Sequence, residues 1–221
     1  FKIFMNKKNK NLKEFIFQLL IKFKMIYFQK LLIKEFNEIG VRFQNSKDHC
    51  DFLINHGAKS CTHIIPPFHD PLNINKKIKL KNKTFFKIII IGRSSTSVNV
   101  SQLNGLIKYV FPEIEKNFLQ DKIQFHFIGD KQNDLPIEIR SKKYVIGRGY
   151  VNDISKEFID ADLFYCVTLN KLGFRVRLCD ALSYGACILT SEYDRYSFPF
   201  LKDKENCFIN NDVKSLGAQL I

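Results

Sequence analysis

The sequence predicts an α/β fold, a doubly wound parallel sheet, and three observations carry that reading. Short apolar runs ended by glycine recur from residue 84 onward, as in FFKIIIIG and KIQFHFIG. Segments with apolar residues at helical spacing lie between these runs. Unbroken apolar runs, as opposed to alternating ones, are what strands buried on both faces require. The chain has 221 residues, 45% of them hydrophobic with 22 Phe, so it can bury a substantial core and does not read as disordered.

The elements follow in order. Residues 14–36 read as a helix that is apolar around most of its circumference, with Lys22 and Lys24 breaking the run short of the ~18 uninterrupted apolar residues that suggest a span. So wide an apolar surface predicts burial against other elements. The rival is a helix lying in a membrane interface with its lysines reaching outward. A short strand at 40–46, a helix at about 47–56 capped by Ser46, and a strand entering a proline-rich loop at 62–72 come next. Residues 73–83 are polar and basic without pattern, and the domain boundary is placed there: 1–83, mostly helical and basic, and 84–221.

In 84–221 the predicted strands are 85–92, 122–129, 144–151, 162–168, 186–191 and 207–211. Helices are predicted at 99–119, at 153–161 with Asp153 as cap, at 174–184, and after Asp212. Ligands of such sheets bind beyond the carboxyl ends of the strands. The stretches to inspect are therefore Gly92 to Ser94, Gly129-Asp130, Arg148 to Tyr150, Thr168 to Gly173, and Thr190-Ser191.

The segment GFRVRLCDALSYGACILTS reads as a glycine turn, a helix, a glycine C-cap and a buried strand. It puts Arg175, Arg177 and Asp180 at the start of a helix. Helix N–H groups with cations beside them suit a diphosphate, and a nearby carboxylate suits ribose hydroxyls. The residues predict a nucleoside-diphosphate site, in the first place for a sugar nucleotide. Arg177 and Asp180 are three apart on the helix and read equally as a mutual ion pair. Arg93 reads as a phosphate ligand or a surface arginine. Asp130 either caps the next segment or approaches the base, and Tyr150 either stacks on a base or packs. His126, inside an apolar strand, reads as a core histidine.

The net charge of +13 is uneven: residues 1–83 hold 17 Lys and Arg against 6 Asp and Glu, leaving 18 against 16 for the remainder. That excess fits an anionic membrane surface, nucleic acid, or simply an AT-biased composition. No basic-aromatic interleaving of an RNA-binding sheet accompanies it, so nucleic acid is the third-ranked reading. The six cysteines form no C-x-x-C pair and read as reduced, buried thiols of a cytosolic protein; no His or Cys pair has zinc-ligand spacing, and no metal is expected. Phe1 is not a start methionine, which fits a processed chain, a fragment, or numbering from within a longer protein.

Six segments in order, from GVRFQNSKDHCDFLINHGAKSCTHIIPPF through FFKIIIIGRSSTSVNVSQLNGLIKYVFPEI, KIQFHFIGD, YVIGRGYVNDISKEFIDADLFYCVT and GFRVRLCDALSYGACILTS to ENCFINNDVKSLGAQLI, resemble glycosyltransferases of the GT-B fold, family 4 type. The resemblance implies the Rossmann-like C-terminal half of a GT-B fold with a partial N-terminal, acceptor-side domain. It implies transfer of a sugar, with retention, from a nucleotide-diphosphate sugar to an acceptor hydroxyl on a glycan or lipid-linked carrier, at the cytoplasmic face of a membrane and without a cofactor. On it, Arg93 and Arg177 would face the diphosphate, Asp180 the ribose, and Gly173 would let the backbone approach the donor. Arg148, Tyr150 and Val151 would lie near the base. The sequence departs from that pattern at Leu172, where the family's first acid would stand, at Val98 for a lysine, and at Cys187 for a proline. With the acceptor domain largely missing, the alternative is a non-catalytic domain that binds a sugar nucleotide or a partner.

Overall fold

The computed structural model describes residues 12–39, 43–44, 47–63, 84–168, 175–210 and 212–220. The chain divides into two compact units, Phe1–Ile64 and Ile65–Ile221. The basic stretch 73–83, with Ser46, Leu172 and Gly173, lies outside the described residues.

The first unit contains α1 (Leu12–Ile39), β1 (Phe43–Gln44), α2 (Lys47–Asn55) and β2 (Thr62–His63). The two short strands pair in parallel, with Phe43 opposite Thr62. Asn37 near the end of α1 donates to the Gly57 carbonyl at 2.9 Å and accepts the Lys59 N–H at 3.0 Å, which ties α1 to the turn after α2. The thiols of Cys50 and Cys61 meet at 3.1 Å, both reduced. The burial expected for α1 is not realised in this chain. Leu20, Phe23, Met25, Tyr27 and Phe28 are more than half exposed, and among its described side chains Ile33 alone is buried. The apolar circumference that predicted burial is mostly uncovered among the described residues.

The second unit is built on a six-stranded sheet: β3 (Phe86–Ile91), β4 (Ile123–Ile128), β5 (Val145–Gly149), β6 (Leu163–Cys166), β7 (Ile188–Ser191) and β8 (Phe208–Asn210). The spatial order is β5-β4-β3-β6-β7-β8 and every pairing is parallel. Each of the six sits within a predicted strand. Successive residues of β3 face opposite layers, which explains its unbroken isoleucine run. Ile88 and Ile90 join a cluster with Leu103, Leu106, Phe125 and Ile139, while Ile89 packs with Phe158, Phe164, Leu178 and Ala181.

The first layer holds α3 (Ser97–Gly105), a π-helical turn (Leu106–Val110), α4 (Phe111–Lys116), α5 (Ile137–Arg140) and α8 (Leu216–Leu220). The single helix expected at 99–119 is thus interrupted by a wider turn. α8 crosses it so closely that a Cβ on Gly217 would lie 2.2 Å from the Tyr109 carbonyl oxygen. The second layer holds α6 (Ile154–Asp160) and α7 (Val176–Ser183). Asp153 caps α6 through the Ser155 N–H at 3.1 Å, and Asp212 accepts the Lys214 N–H at 3.1 Å, as their positions suggested.

Candidate functional site

The connection leaving β3 runs over one layer and the connection leaving β6 over the other, although the two strands are neighbours. Diverging connections open a crevice at the carboxyl ends, the position where ligands of open α/β sheets bind.

Glycines shape the floor of this crevice. Gly92 and Gly129, directly after β3 and β4, both have φ of +117°, a region that residues bearing a Cβ rarely adopt. They lie back to back: a Cβ on Gly129 would be 3.1 Å from the Gly92 carbonyl carbon, and the Gly92 N–H donates to Ile128 at 2.8 Å. Asp130 is buried and accepts the Ser94 N–H at 2.5 Å, which fastens the loop after β4 to the loop after β3. The Arg93 carbonyl accepts from Asn99 Nδ2 at 2.7 Å and Thr96 Oγ1 at 3.0 Å. That fixes the Arg93 backbone, while its side chain is exposed and no described residue pairs with it.

From the other side of the crevice, α7 brings Arg177. Its Nη1 donates to the Ile91 carbonyl at the end of β3, beside Gly92. A Cβ on Gly92 would come within 2.5 Å of Asn99 Nδ2 and 2.7 Å of Arg177 Nη1, so only glycine leaves room for the two side chains. Asp180 follows three residues along α7 and is half-buried. The structure therefore brings Gly92, Asn99 and Arg177 into contact, with Arg93 adjacent in the chain.

Arg175, the N-cap residue just before α7, turns its side chain to a different set of partners. It is 6% exposed; its Nε lies 2.5 Å from Asp194 Oδ1, and its Nη2 donates to Thr168 Oγ1. Asp194 in turn accepts from Thr190 Oγ1 at 2.5 Å and Ser191 Oγ at 3.2 Å. Sequence reasoning missed Asp194. Its signal was the Ser191-x-x-Asp194 spacing directly after an apolar strand, a capping box that the structure forms around the turn Glu192–Tyr196.

The residues assigned to the base lie on adjacent segments, the Gly149 N–H donating to the Asp130 carbonyl at 2.8 Å, but their side chains have different surroundings. Arg148 pairs with Glu157 of α6 at 3.1 Å, Tyr150 is 84% exposed, and Val151 packs against the α6 and α7 layer. Glu157 also pairs with the buried Lys87 at 2.9 Å. Burial pushes the Glu157 carboxyl up, but Lys87 and Arg148 outweigh it and hold the group below its ordinary pKa. His126 beside them is lowered to about 4, first by burial and then by the charges of Lys87 and Arg148. Its Nε2 meets Gln124 at 3.1 Å and its Nδ1 is buried without a partner, so it is a core histidine satisfied on one side only.

A family model described as "Glycosyl transferases group 1" matches residues 86–221. Among solved structures, the lipopolysaccharide outer core galactosyltransferase WaaB is 14% identical with a TM-score of 0.55, over 80% of this chain and 51% of that one. TarM is 15% identical with a TM-score of 0.64, over 86% and 38%. HepE of Anabaena, solved with UDP and glucose, is 17% identical with a TM-score of 0.56, over 80% and 51%. At these identities the likeness is one of fold, and the chain spans about half the length of these proteins or less. No curated sequence matches the chain.

Proposed function

Because the chain belongs to the group 1 glycosyl transferases, we propose that residues 84–221 bind the donor in a retaining hexosyl transfer, a nucleoside-diphosphate sugar lying across the β3/β6 crevice. The observation that carries this reading is the Arg177 guanidinium at the end of β3, beside Gly92 and in the first turn of α7. In the transfer the bond from the sugar C1 to the diphosphate oxygen breaks and a bond from C1 to the acceptor oxygen forms. The acceptor hydroxyl gives up its proton, and the departing diphosphate takes the electron pair. Fixed cations and helix N–H groups aimed at that oxygen lower the barrier most where the charge develops.

In this reading Arg177 and Arg93 meet the diphosphate and Asp180 the ribose. Gly173 gives the backbone its approach to the donor, and Arg175 supplies a further cation. The base lies toward Asp130, Arg148, Tyr150 and Val151. Guanidinium groups supply the charge, and the proposal includes no metal or cofactor. The acceptor is a glycan or lipid-linked hydroxyl, and the lysine-rich first unit would hold the protein against the anionic cytoplasmic face of a membrane.

Titration calorimetry with UDP, ADP, GDP and their glucose conjugates tests the donor site. One base series is expected to bind, with Arg177→Ala and Asp180→Ala each weakening it about tenfold or more, as loss of a charge-assisted hydrogen bond implies. Binding that neither substitution alters would remove the site from this crevice.

A further inference from the structure

Cys50 and Cys61 are two thiols that the fold of the first unit holds face to face. Cys50 lies in α2 and is 5% exposed, while Cys61 stands directly before β2 and is half-buried. Their Sγ atoms are 3.1 Å apart, although the residues are 11 positions apart in the chain. That gap is about 1 Å longer than the ~2.05 Å of a disulfide bond, so a small movement of the two side chains closes it.

The backbone sets this approach. The chain turns back after α2 at Gly57, whose φ is +100°, with the Gly57 N–H donating to Ile54 at 3.0 Å and the Ala58 N–H to Leu53 at 2.9 Å. Asn37 of α1 grips the same turn at Gly57 and Lys59. Beyond it, the pairing of Thr62 with Phe43 of β1 fixes the chain next to Cys61. Two facing thiols serve either to hold a metal or to exchange electrons. A structural zinc site needs further ligands, and among the described residues no group of three or more His, Cys, Asp or Glu could hold an ion. Electron exchange needs only the two sulfurs and an approach for the oxidant, which half-buried Cys61 offers.

We propose that Cys50 and Cys61 form a reversible redox pair, oxidised by a small peroxide to a disulfide that staples α2 to β2. The Cys61 thiolate, on the accessible side, attacks one oxygen of hydrogen peroxide. The O–O bond breaks, the other oxygen leaves as hydroxide and takes a proton to become water, and Cys61 becomes a sulfenic acid. The Cys50 sulfur, having released its proton, attacks the Cys61 sulfur. The S–S bond forms, the S–O bond breaks and a second water leaves. Each thiol is oxidised by one electron and the peroxide is reduced to two waters. Exchange with two equivalents of a small thiol restores the pair and yields that thiol's disulfide. Closing the 50–61 loop covalently removes open conformations and steadies the first unit. The pair is independent of the donor-site reading.

The test treats the whole chain with hydrogen peroxide, with and without later dithiothreitol, and maps the thiols by alkylation after unfolding and peptide mass spectrometry. Hydrogen exchange at 47–63 is followed in the same samples. The expected result is a linked Cys50–Cys61 peptide lighter by two hydrogen atoms and opened by dithiothreitol, with exchange at 47–63 about tenfold slower in the linked form. In Cys50→Ala, peroxide is expected to leave Cys61 as a sulfenic acid that dimedone traps. Circular dichroism confirms that this variant folds, and the unsubstituted chain carries the test where it does not. Cys187, exposed in the second unit, is the control thiol. Oxidation of Cys187 while Cys50 and Cys61 both still alkylate overturns the pair. Linkage of Cys61 to a second chain, or a link in the fresh chain that dithiothreitol leaves closed, overturns it as well. A link that leaves exchange at 47–63 unchanged overturns the staple.

Discussion

Gly92 bears two constraints at once, a backbone at φ +117° and a space shared by Asn99 and Arg177. Gly57 has a similar φ of +100° but open space where its Cβ would go. Comparing the two separates backbone strain from crowding. Gly92→Ala and Gly57→Ala are each expected to lose about 1–3 kcal/mol of stability from the strained backbone. Gly92→Ala alone should also displace Arg177 and weaken nucleotide binding. Melting curves and calorimetry on both variants check this, and equal nucleotide affinity in the two would mean that Arg177 does not depend on the gap beside Gly92. Gly92 was legible because a glycine closing an apolar run marks a strand end. The approach of Asn99 and Arg177 to Gly92 was not, because it gathers residues from α3 and α7 that only the fold brings together.

At the scale of elements, β3, β4, β5 and α6 share one polar cluster, with Lys87, His126 and Glu157 buried and Arg148 and Asp160 at its outer edge. Its electrostatics give a sign to the pH dependence. The native state holds His126 neutral down to about pH 4, while the unfolded chain protonates it below its ordinary value of 6.5. Between those values the unfolded state binds the extra proton, so stability falls as pH falls through this window and is fully recovered above it, by at most about 3 kcal/mol. Glu157, held below its ordinary carboxylate value, adds a further loss at lower pH. Melting temperatures from pH 7 to 4 are expected to decline, and His126→Gln should flatten the decline above pH 4.5. An identical slope in the variant would assign the loss to other groups. The single apolar strand containing His126 was readable, but its neighbours were not: Lys87 sits in a run of isoleucines, and nothing in its local sequence announces partners on α6.

At the scale of the whole molecule, the six strands were legible because a parallel sheet covered on both faces writes continuous apolar runs punctuated by glycine, whereas their order in the sheet came only with the fold. The π-helical turn was not, since Leu106 and Val110 keep the spacing of an ordinary helix and the widened turn arises where α8 presses Gly217 against Tyr109. The Arg175–Asp194 pair was hidden for the same reason, its members being joined only when β6 and β7 lie side by side. For α1 the apolar pattern anticipated burial, whereas most of its described side chains are exposed.

That helix has a consequence for the protein as a substance. Its 28 residues make a rod about 42 Å long, greasy along much of its described length and studded with lysines. In dilute buffer such rods find one another, and the lysines oppose this only while their repulsion is unscreened. Light scattering is therefore expected to report a mass that climbs with concentration and with added salt, and that returns to a single 25.9 kDa chain once a mild non-ionic detergent coats the rod. A mass indifferent to all three would mean that the rod is already sheathed. Until it is coated, the purified chain should be treated as a colloid whose particle size is set by its solvent.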